Sequence, residues 1–383
     1  MTRVLIYIDS LKAGGAERVA LQFASWLKES GHVPIVLTRR AAGDDFYPCP
    51  AGLLRLVEAA DPPWLRRLSW LGFPWRLLRL RRLLRLHSIE LGLALTTLPA
   101  IKLILAAVGL GLPVVASERN YPPARPLPLP WRVLRRLAYP RACLHLVQTE
   151  AIASWLRQHR LAGRCFVLAN AVVWPLPCFT PSVAPQEWVA PDEHMLLAVG
   201  TKSHQKGFDQ LVQAFCSLSP RFPTWRLVIL GLSSDPYHGV DQVASLKASI
   251  PQSIARASKI LFPGRIGNVA DWYDRADVFV LSSRYEGFPN VLLEAMAGGV
   301  ACVAVDCPTG PAEILEDGVN GSLCRSDPAA LVDAISLLMS HDDLRRRYGQ
   351  AALTVRDRFS VSRQRRLFLS ALDPWLEAED PSS

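Results

Sequence analysis

The eight cysteines include no Cys-x-x-Cys pair, and the nearest two, Cys302 and Cys307, fall on strand and loop patterns. That excludes a zinc ribbon and favours scattered reduced thiols over a disulfide framework. No cluster of metal-ligand spacing stands out, so no metal and no other cofactor is expected. No internal repeat is visible as sequence identity. No secretory leader is expected, because Met1-Thr2-Arg3 runs at once into a short strand pattern, and a cytoplasmic protein follows. No apolar run goes uninterrupted for long. Leu91 to Ser117 holds Lys102 as its only charge, but Pro99, Gly109, Gly111 and Pro113 punctuate it. A membrane span needs about 20 apolar residues, so strand (Gly92–Thr96), helix (Pro99–Leu110) and strand (Pro113–Ser117) are expected instead.

One absence is local. Pro62 to Ile89 contains no acid, while it carries Arg66, Arg67, Arg76, Arg79, Arg81, Arg82 and Arg85 beside Trp64, Trp70, Phe73, Trp75 and many leucines. Leu77, Leu80 and Leu84 with the arginines between them fit a basic amphipathic helix. Arginine and tryptophan beside leucine suit the headgroup boundary of an anionic bilayer, so Arg76, Arg79 and Arg82 are candidate membrane contacts. The bland alternative is a solvated helix packing its leucines on the domain. Nothing resembles a base-reading module, so no nucleic acid is expected. Arg125 to Arg141 repeats the style with Trp131, Arg132, Arg135, Arg136 and Tyr139, after a proline-rich loop from Pro122 to Pro130.

Charge divides the chain. The formal charge is +9 over 383 residues, but residues 1–190 carry +13 and residues 191–383 carry −4. Half of all residues are apolar, enough for two domains with cores. In the first half Val4-Leu5-Ile6-Tyr7-Ile8 fits a central parallel strand. Lys12-Ala13-Gly14-Gly15-Ala16-Glu17 follows, then a helix with Ala20, Phe23, Ala24 and Leu27 on one stripe. A glycine pair there lets backbone approach a ligand, or makes a plain tight turn; the full dinucleotide fingerprint is missing. Further strands are expected at Val33–Thr38, Cys143–Gln148 and Cys165–Leu168, and a helix at Thr149–His159. Asn170 to Pro191 is proline-rich and aperiodic, and marks the boundary, with the linker at 179–192 between domains 1–178 and 193–358. Strands at Met195–Val199, Trp225–Gly231 and Asp277–Ser282 alternate with helical patterns, as in a second doubly wound domain. Helices are expected at Pro328–Met339, Asp343–Arg356 and Val361–Leu376.

The most informative stretch runs from Tyr285 to Gly299. It lies between apolar strand patterns and reads as the loop and helix of a βαβ unit. Pro289 suits a first helical turn, leaving the N–H groups of Asn290, Val291 and Leu292 for a phosphate. Glu286 in the loop and Glu294 on the helix, on the face of Asn290, bracket that site. An acid repels phosphate, so both acids are expected to accept from hydroxyls. Hydroxyls beside phosphate mean a nucleotide, a sugar, or both. The alternative is two solvated glutamates, against which stands their place at the carboxyl end of a parallel strand.

Glu286-Gly287-Phe288-Pro289, with seven residues between Glu286 and Glu294, resembles the signature of the retaining GT-B glycosyltransferases of family 4, the glycosyl transferases group 1. The match continues through Cys307-Pro308-Thr309-Gly310-Pro311-Ala312-Glu313-Ile314. The resemblance implies an α/β fold of two Rossmann-like doubly wound domains facing a cleft, with a last helix (361–378) packing back on the first. It implies transfer of a hexose or N-acetylhexosamine from a nucleotide diphosphate sugar, a UDP-sugar, to a saccharide acceptor with retention. The basic first half makes that acceptor lipid-linked and the protein peripheral on the cytoplasmic face of a membrane, in surface polysaccharide or glycan synthesis. Lys206 fits the family's lysine, and with Glu286 is assigned to catalysis. Thr201 stands where the family has arginine, and Lys202 is the candidate substitute, as a point charge in place of a fork. Gly14, Gly15, Lys202, Lys206, Arg265, Glu286, Gly287, Phe288, Pro289, Asn290, Val291 and Glu294 are the expected donor contacts. The family's usual histidine has no counterpart in Val114-Val115-Ala116-Ser117-Glu118-Arg119-Asn120. Glu118 and Arg119 are candidate acceptor contacts. Thr201 and the missing histidine keep two alternatives open: an inactive nucleotide-sugar-binding protein of this fold, and a GT-B nucleotide-sugar epimerase.

Overall fold

The computed structural model describes residues 1–12, 14–40, 43, 45–64, 71–232 and 240–376. Ala13 of the glycine loop, Arg66, Arg67 and Trp70 of the acid-free segment, and residues 377–378 of the expected last helix lie outside them. Among the described residues, strands are β1 (Arg3–Ile8), β2 (Val33–Thr38), β3 (Leu54–Val57), β4 (Leu91–Leu95), β5 (Val114–Glu118), β6 (Leu144–Val147), β7 (Cys165–Val167), β8 (His194–Val199), β9 (Trp225–Leu230), β10 (Ile260–Gly264), β11 (Val278–Leu281), β12 (Ala301–Val305) and β13 (Ser322–Cys324). In the first half the helices are α1 (Gly15–Glu29), α2 (Phe73–Leu86), α3 (Thr97–Ala107), α4 (Leu129–Ala138) and α5 (Glu150–Gln158). Then come α6 (Ser203–Lys206), α7 (Phe208–Leu218), α8 (Gln242–Ala248), α9 (Gln252–Arg256), α10 (Val269–Arg275), α11 (Asn290–Ala297) and α12 (Pro311–Ile314). The chain closes with α13 (Pro328–Ser340), α14 (Asp342–Ala352), α15 (Val355–Arg358) and α16 (Val361–Leu376).

The chain divides into two compact units, Met1–Asn170 with the residues from Gln364 onward, and Ala171–Arg363. The first holds a sheet in the order β3-β2-β1-β4-β5-β6-β7, and the second one in the order β10-β9-β8-β11-β12-β13. Every strand pair in both is parallel. Parallel strands require crossover helices, which cover the faces of the sheet. That is why β1 reads as a continuous apolar run. Leu5 and Tyr7 join a core built with α3 and α5, while Val4, Ile6 and Ile8, pointing to the other face, are equally buried. In the second unit Leu196, Leu227, Val278 and Val303 pack under α7 and α13. The apolar segment from Leu91 is a strand, a helix and a strand, and no described helix is long and apolar enough to cross a membrane.

The segment expected as a linker at 179–192 belongs to the second unit. Phe179 N–H donates to Gly267 O (3.0 Å), and Gly267 N–H to Pro181 O (2.7 Å). Val183 exchanges two bonds with the Asn268 side chain, and its carbonyl also accepts from the fully buried Trp272 indole (3.1 Å). Prolines deny this stretch a regular ladder, so its backbone groups are met sideways by side chains and turns, as burial demands. The chain passes between the units at 170–171 instead. The last helix packs on the first unit: Phe368 stacks on Phe23 with centroids 4.2 Å apart, and Arg365 pairs with Glu29 at 2.7 Å.

His145, in β6, is fully buried, and burial pushes its imidazole down to about 4 from the ordinary 6.5. The unfolded chain therefore takes up this proton first as pH falls. Stability present above pH 6.5 is lost progressively down to about pH 4. At pH 5 the loss from this residue is about 2 kcal/mol, at roughly 1.4 kcal/mol per pH unit. Urea unfolding of wild type and His145→Met at pH 7 and pH 5 measures it. The wild type is expected to lose that much more than the variant on acidification; equal losses would contradict it.

Candidate functional site

In the second unit the chain runs from β8 outward to β10, then returns so that β11 lies on the other side of β8. The loops leaving β8 and β11 therefore part in opposite directions, and open a crevice at the carboxyl edge of the sheet. After β8 the chain makes the single turn α6. Its last residue is Lys206, and Gly207, at φ +64°, ends it and starts α7. Gly200 leaves room for the lysine. A Cβ there would lie 2.6 Å from Lys206 Cγ, so the aliphatic stem crosses the space a larger residue would fill.

The loop after β11 brings Glu286 to the same place. Lys206 Nζ donates to Glu286 Oε1 at 2.7 Å, across 80 residues of sequence, and Ser283 Oγ donates to the same oxygen at 2.6 Å. Glu286 is 6% exposed and Ser283 is fully buried. The solvated alternative for this acid is therefore wrong. The two loops are also tied by backbone. Arg284 N–H donates to Gln205 O (2.9 Å), Arg284 forms a two-bond ion pair with Asp209, and Ser282 Oγ donates to Lys206 O (2.8 Å). Thr309, from the loop after β12, donates its hydroxyl to the Glu286 carbonyl. Burial, with the Glu286 charge adding, pushes the Cys307 thiol up to about 12, so it is no nucleophile.

Glu294 is 5% exposed on α11, with the Tyr273 hydroxyl 3.3 Å from its Oε2 and 3.2 Å from Val291 O. Two nearly buried carboxylates and a lysine thus stand around one helix start. Pro289 is the residue before that helix, not in its first turn, and its carbonyl accepts from Leu292 N–H at 3.0 Å. Leu292 N–H is thus already used and is not offered to a phosphate, which corrects the sequence expectation. Phe288 is buried against Phe359 (5.6 Å), and Gly287 and Pro289 pack where a Gly310 Cβ would stand. These three shape the loop from behind.

Other expected residues fall as follows. Lys202 precedes α6 as its cap and is half-buried, and its loop is braced by Gln242, which bonds Ser203 N–H (2.7 Å) and Thr201 O (3.3 Å). Arg265 is exposed, just beyond the edge strand β10. Gly14 and Gly15 follow β1, at the point where the first sheet reverses between β1 and β4. Gly14 is extended (φ −170°), so its value is room: a Cβ would meet the Glu17 carboxylate. Glu118 is 1% exposed and accepts from Thr97 and from Tyr139 (2.7 Å). It braces the first unit and has no face left for an acceptor. Arg119 is 7% exposed, with Nε and Nη2 unpartnered among the described residues, its guanidinium over Phe23, and burial pushes it down to about 9. Ser283, Thr309, Tyr273 and Gln242 escaped the sequence argument; only Thr309, within the family motif, carried a signal there.

Two parallel doubly wound sheets, the second with an acid–lysine pair at its point of reversal, define a GT-B fold. Residues 184–355 match the model of the Glycosyl transferases group 1, and residues 13–173 that of Glycosyltransferase Family 4. The two matches take in most of the chain, which belongs to the family 4 glycosyltransferases. LpcC, a lipopolysaccharide core biosynthesis mannosyltransferase of Rhizobium leguminosarum bv. viciae, is 33% identical over 195 residues, 49% of this chain and 54% of that protein. The match with LpcC thus spans about half of that relative's length. An N-acetylgalactosamine-N,N'-diacetylbacillosaminyl-diphospho-undecaprenol 4-alpha-N-acetylgalactosaminyltransferase of Campylobacter jejuni is 26% identical over 365 residues, 92% of this chain and 94% of that protein. Among solved structures, HepE of Anabaena in complex with UDP shares the fold with a TM-score of 0.80 at 20% identity, over 98% of this chain and all of that one.

Proposed function

We propose that this chain transfers a hexose or N-acetylhexosamine from a UDP-sugar to a lipid-linked saccharide, with retention, in the synthesis of a surface polysaccharide. The carrying observation is the buried Lys206–Glu286 pair with Glu294 on the adjoining helix. In the proposed step the bond from the sugar's anomeric carbon to the diphosphate breaks, and the acceptor oxygen bonds that carbon from the same face. The acceptor proton passes to the departing phosphate. Negative charge gathers on the diphosphate, where Lys206 and the start of α11 stabilise it. Glu286 then exchanges its lysine contact for donor-sugar hydroxyls, and Glu294 accepts from the ribose. Supporting this are the activity in the Campylobacter relative's name and the UDP bound by HepE. The test is a panel of UDP-, GDP- and ADP-sugars incubated with a lipid extract, reading label carried into the organic phase and the anomeric coupling of the product by NMR. Label from a UDP-sugar with unchanged configuration is expected. No turnover with any donor would favour an inactive binder, and sugar conversion without acceptor an epimerase.

The proposed membrane contact is a defined face of two helices. Arg76 and Arg79 are held by Asp61 at 2.7 and 2.9 Å, and Arg81 by carbonyls at the end of α3. Leu80 and Leu84 are buried in the core, so the leucine stripe packs inward. What α2 turns outward is Trp75, Leu78, Arg82, Arg85 and Leu86, and α4 presents Leu129, Arg132, Val133, Arg136 and Leu137. Exposed apolar groups among exposed arginines suit an anionic bilayer. The reading thus moves from Arg76 and Arg79 to Arg82. Sedimentation with phosphatidylglycerol vesicles at moderate salt is expected, and Arg82→Gln with Leu78→Ser should weaken it at least fivefold, an arginine at the surface being worth about 1 kcal/mol. Arg76→Gln should change it little. Failure to sediment would contradict the contact.

A further inference from the structure

The single turn α6 cannot hold itself. Four residues are too few for a helix that is stable alone, and the last carbonyls of any helix lack partners within it. Yet its last residue is Lys206, whose ammonium meets Glu286. Gln242 braces the start of the turn through Ser203 N–H. The end is held, carbonyl by carbonyl, by the loop that carries Glu286. Arg284 Nη1 donates to His204 O (2.8 Å), Arg284 N–H to Gln205 O (2.9 Å) and Ser282 Oγ to Lys206 O (2.8 Å). The backbone bond survives any substitution of Arg284 except proline, but the side-chain bond does not. Asp209, in the first turn of α7, fixes the guanidinium by accepting from both of its terminal nitrogens, at 2.7 and 2.6 Å. Such a two-bond pair sets the plane of the fork as well as its place. The same hydrogen bonds hold the Asp209 carboxyl below its ordinary range. A cation at the end of α6 also suits the helix dipole.

We infer that Arg284, oriented by Asp209, is a positioning residue that holds α6 where Lys206 meets Glu286. It acts through the lysine and not on the substrate. The effect on rate rests on the transferase reading; the placement of the lysine does not. In the donor assay on the full chain, Arg284→Ala should lower kcat about 100-fold, since a displacement of about 1 Å can cost that much. The KM for the donor should stay within about threefold, as for an interaction made in the transition state. Arg284→Lys, which keeps a charge and a donor but not the fork, should recover part of the rate. A merely structural role would make the losses of Arg284→Ala and Lys206→Ala add. Action through the lysine makes Arg284→Ala change the rate by no more than about twofold once Lys206 is alanine. A second readout needs no turnover. The Lys206 side chain is 14% exposed, so reductive methylation followed by peptide mass spectrometry should label it slowly beside the exposed Lys247. In Arg284→Ala its labelling should speed up about fivefold or more relative to Lys247, as expected when a local contact opens. If Arg284→Ala does not fold, Arg284→Lys carries the same measurements. Additive losses, an unchanged kcat, or Lys206 labelled at the wild-type rate would overturn the proposal. Faster labelling in the variant, with no transfer from any donor by the wild type, would leave the positioning role standing and sink the transferase reading.

Discussion

Lys206→Ala is expected to lower transfer by about 10²–10³-fold, the usual effect of removing one charge-stabilising donor from a reacting site. The substitution also strips Glu286, 6% exposed, of its only cation among the described residues and leaves it the Ser283 hydroxyl. An unpaired buried carboxylate destabilises by about 3–5 kcal/mol, so the single variant confounds rate with folding. The double variant Lys206→Met with Glu286→Gln separates them. It replaces the pair with neutral groups of similar shape, and should recover most of the stability while remaining inactive. Thermal melts and the donor assay are run on both single variants and the double. A double variant that melts near wild type and still fails to transfer sugar supports the catalytic role. Activity in it within about tenfold of wild type would assign the pair to stability alone.

Much of this was readable before the structure, for a physical reason. Central parallel strands are buried on both faces, so β1, β8, β11 and β12 announce themselves as apolar runs. The loop from Tyr285 to Gly299 was legible because it must turn sharply between two such runs. What could not be read depends on meetings far apart in sequence. The resemblance pairs Lys206 with Glu286, but their direct contact exists only because β8 and β11 are neighbours, an order that no local pattern encodes. Asp61 lies one residue before the acid-free segment, and neutralises Arg76 and Arg79 by folding back on them. The same helix therefore turned a different side outward than its arginine count suggested. Glu118 is a candidate acceptor contact by sequence, yet Thr97 and Tyr139 draw it inside. The prolines from 175 to 191 marked irregular backbone correctly, but irregular backbone can pack as closely as a helix when Asn268 and Trp272 supply its bonds.

Gly207→Ala should damage the second unit far more than its single added methyl suggests. Gly207 sits at φ +64°, and an added Cβ would lie 2.0 Å from Ser282 O. The backbone angle alone costs about 1–2 kcal/mol for a residue with a side chain. The clash is the larger effect, because it is with backbone at the end of β11 and cannot be relieved by a rotamer. α6 must move away, although Ser282 Oγ holds Lys206 O at 2.8 Å. That motion carries Lys206 off Glu286, and a displacement of about 1 Å can cost roughly 10²-fold in rate. The expected result is a fall in melting temperature of about 10 °C or more, taking roughly 2–4 °C per kcal/mol, with transfer reduced at least 100-fold in the fraction that remains folded. Gly318→Ala is the control. Its φ is also positive, +73°, but a Cβ there meets nothing within 4 Å. It should lose about 1 kcal/mol and keep its rate, which separates backbone strain from displacement of the lysine. If Gly207→Ala melted and turned over like Gly318→Ala, the tight seating of α6 on β11 would not be what positions Lys206.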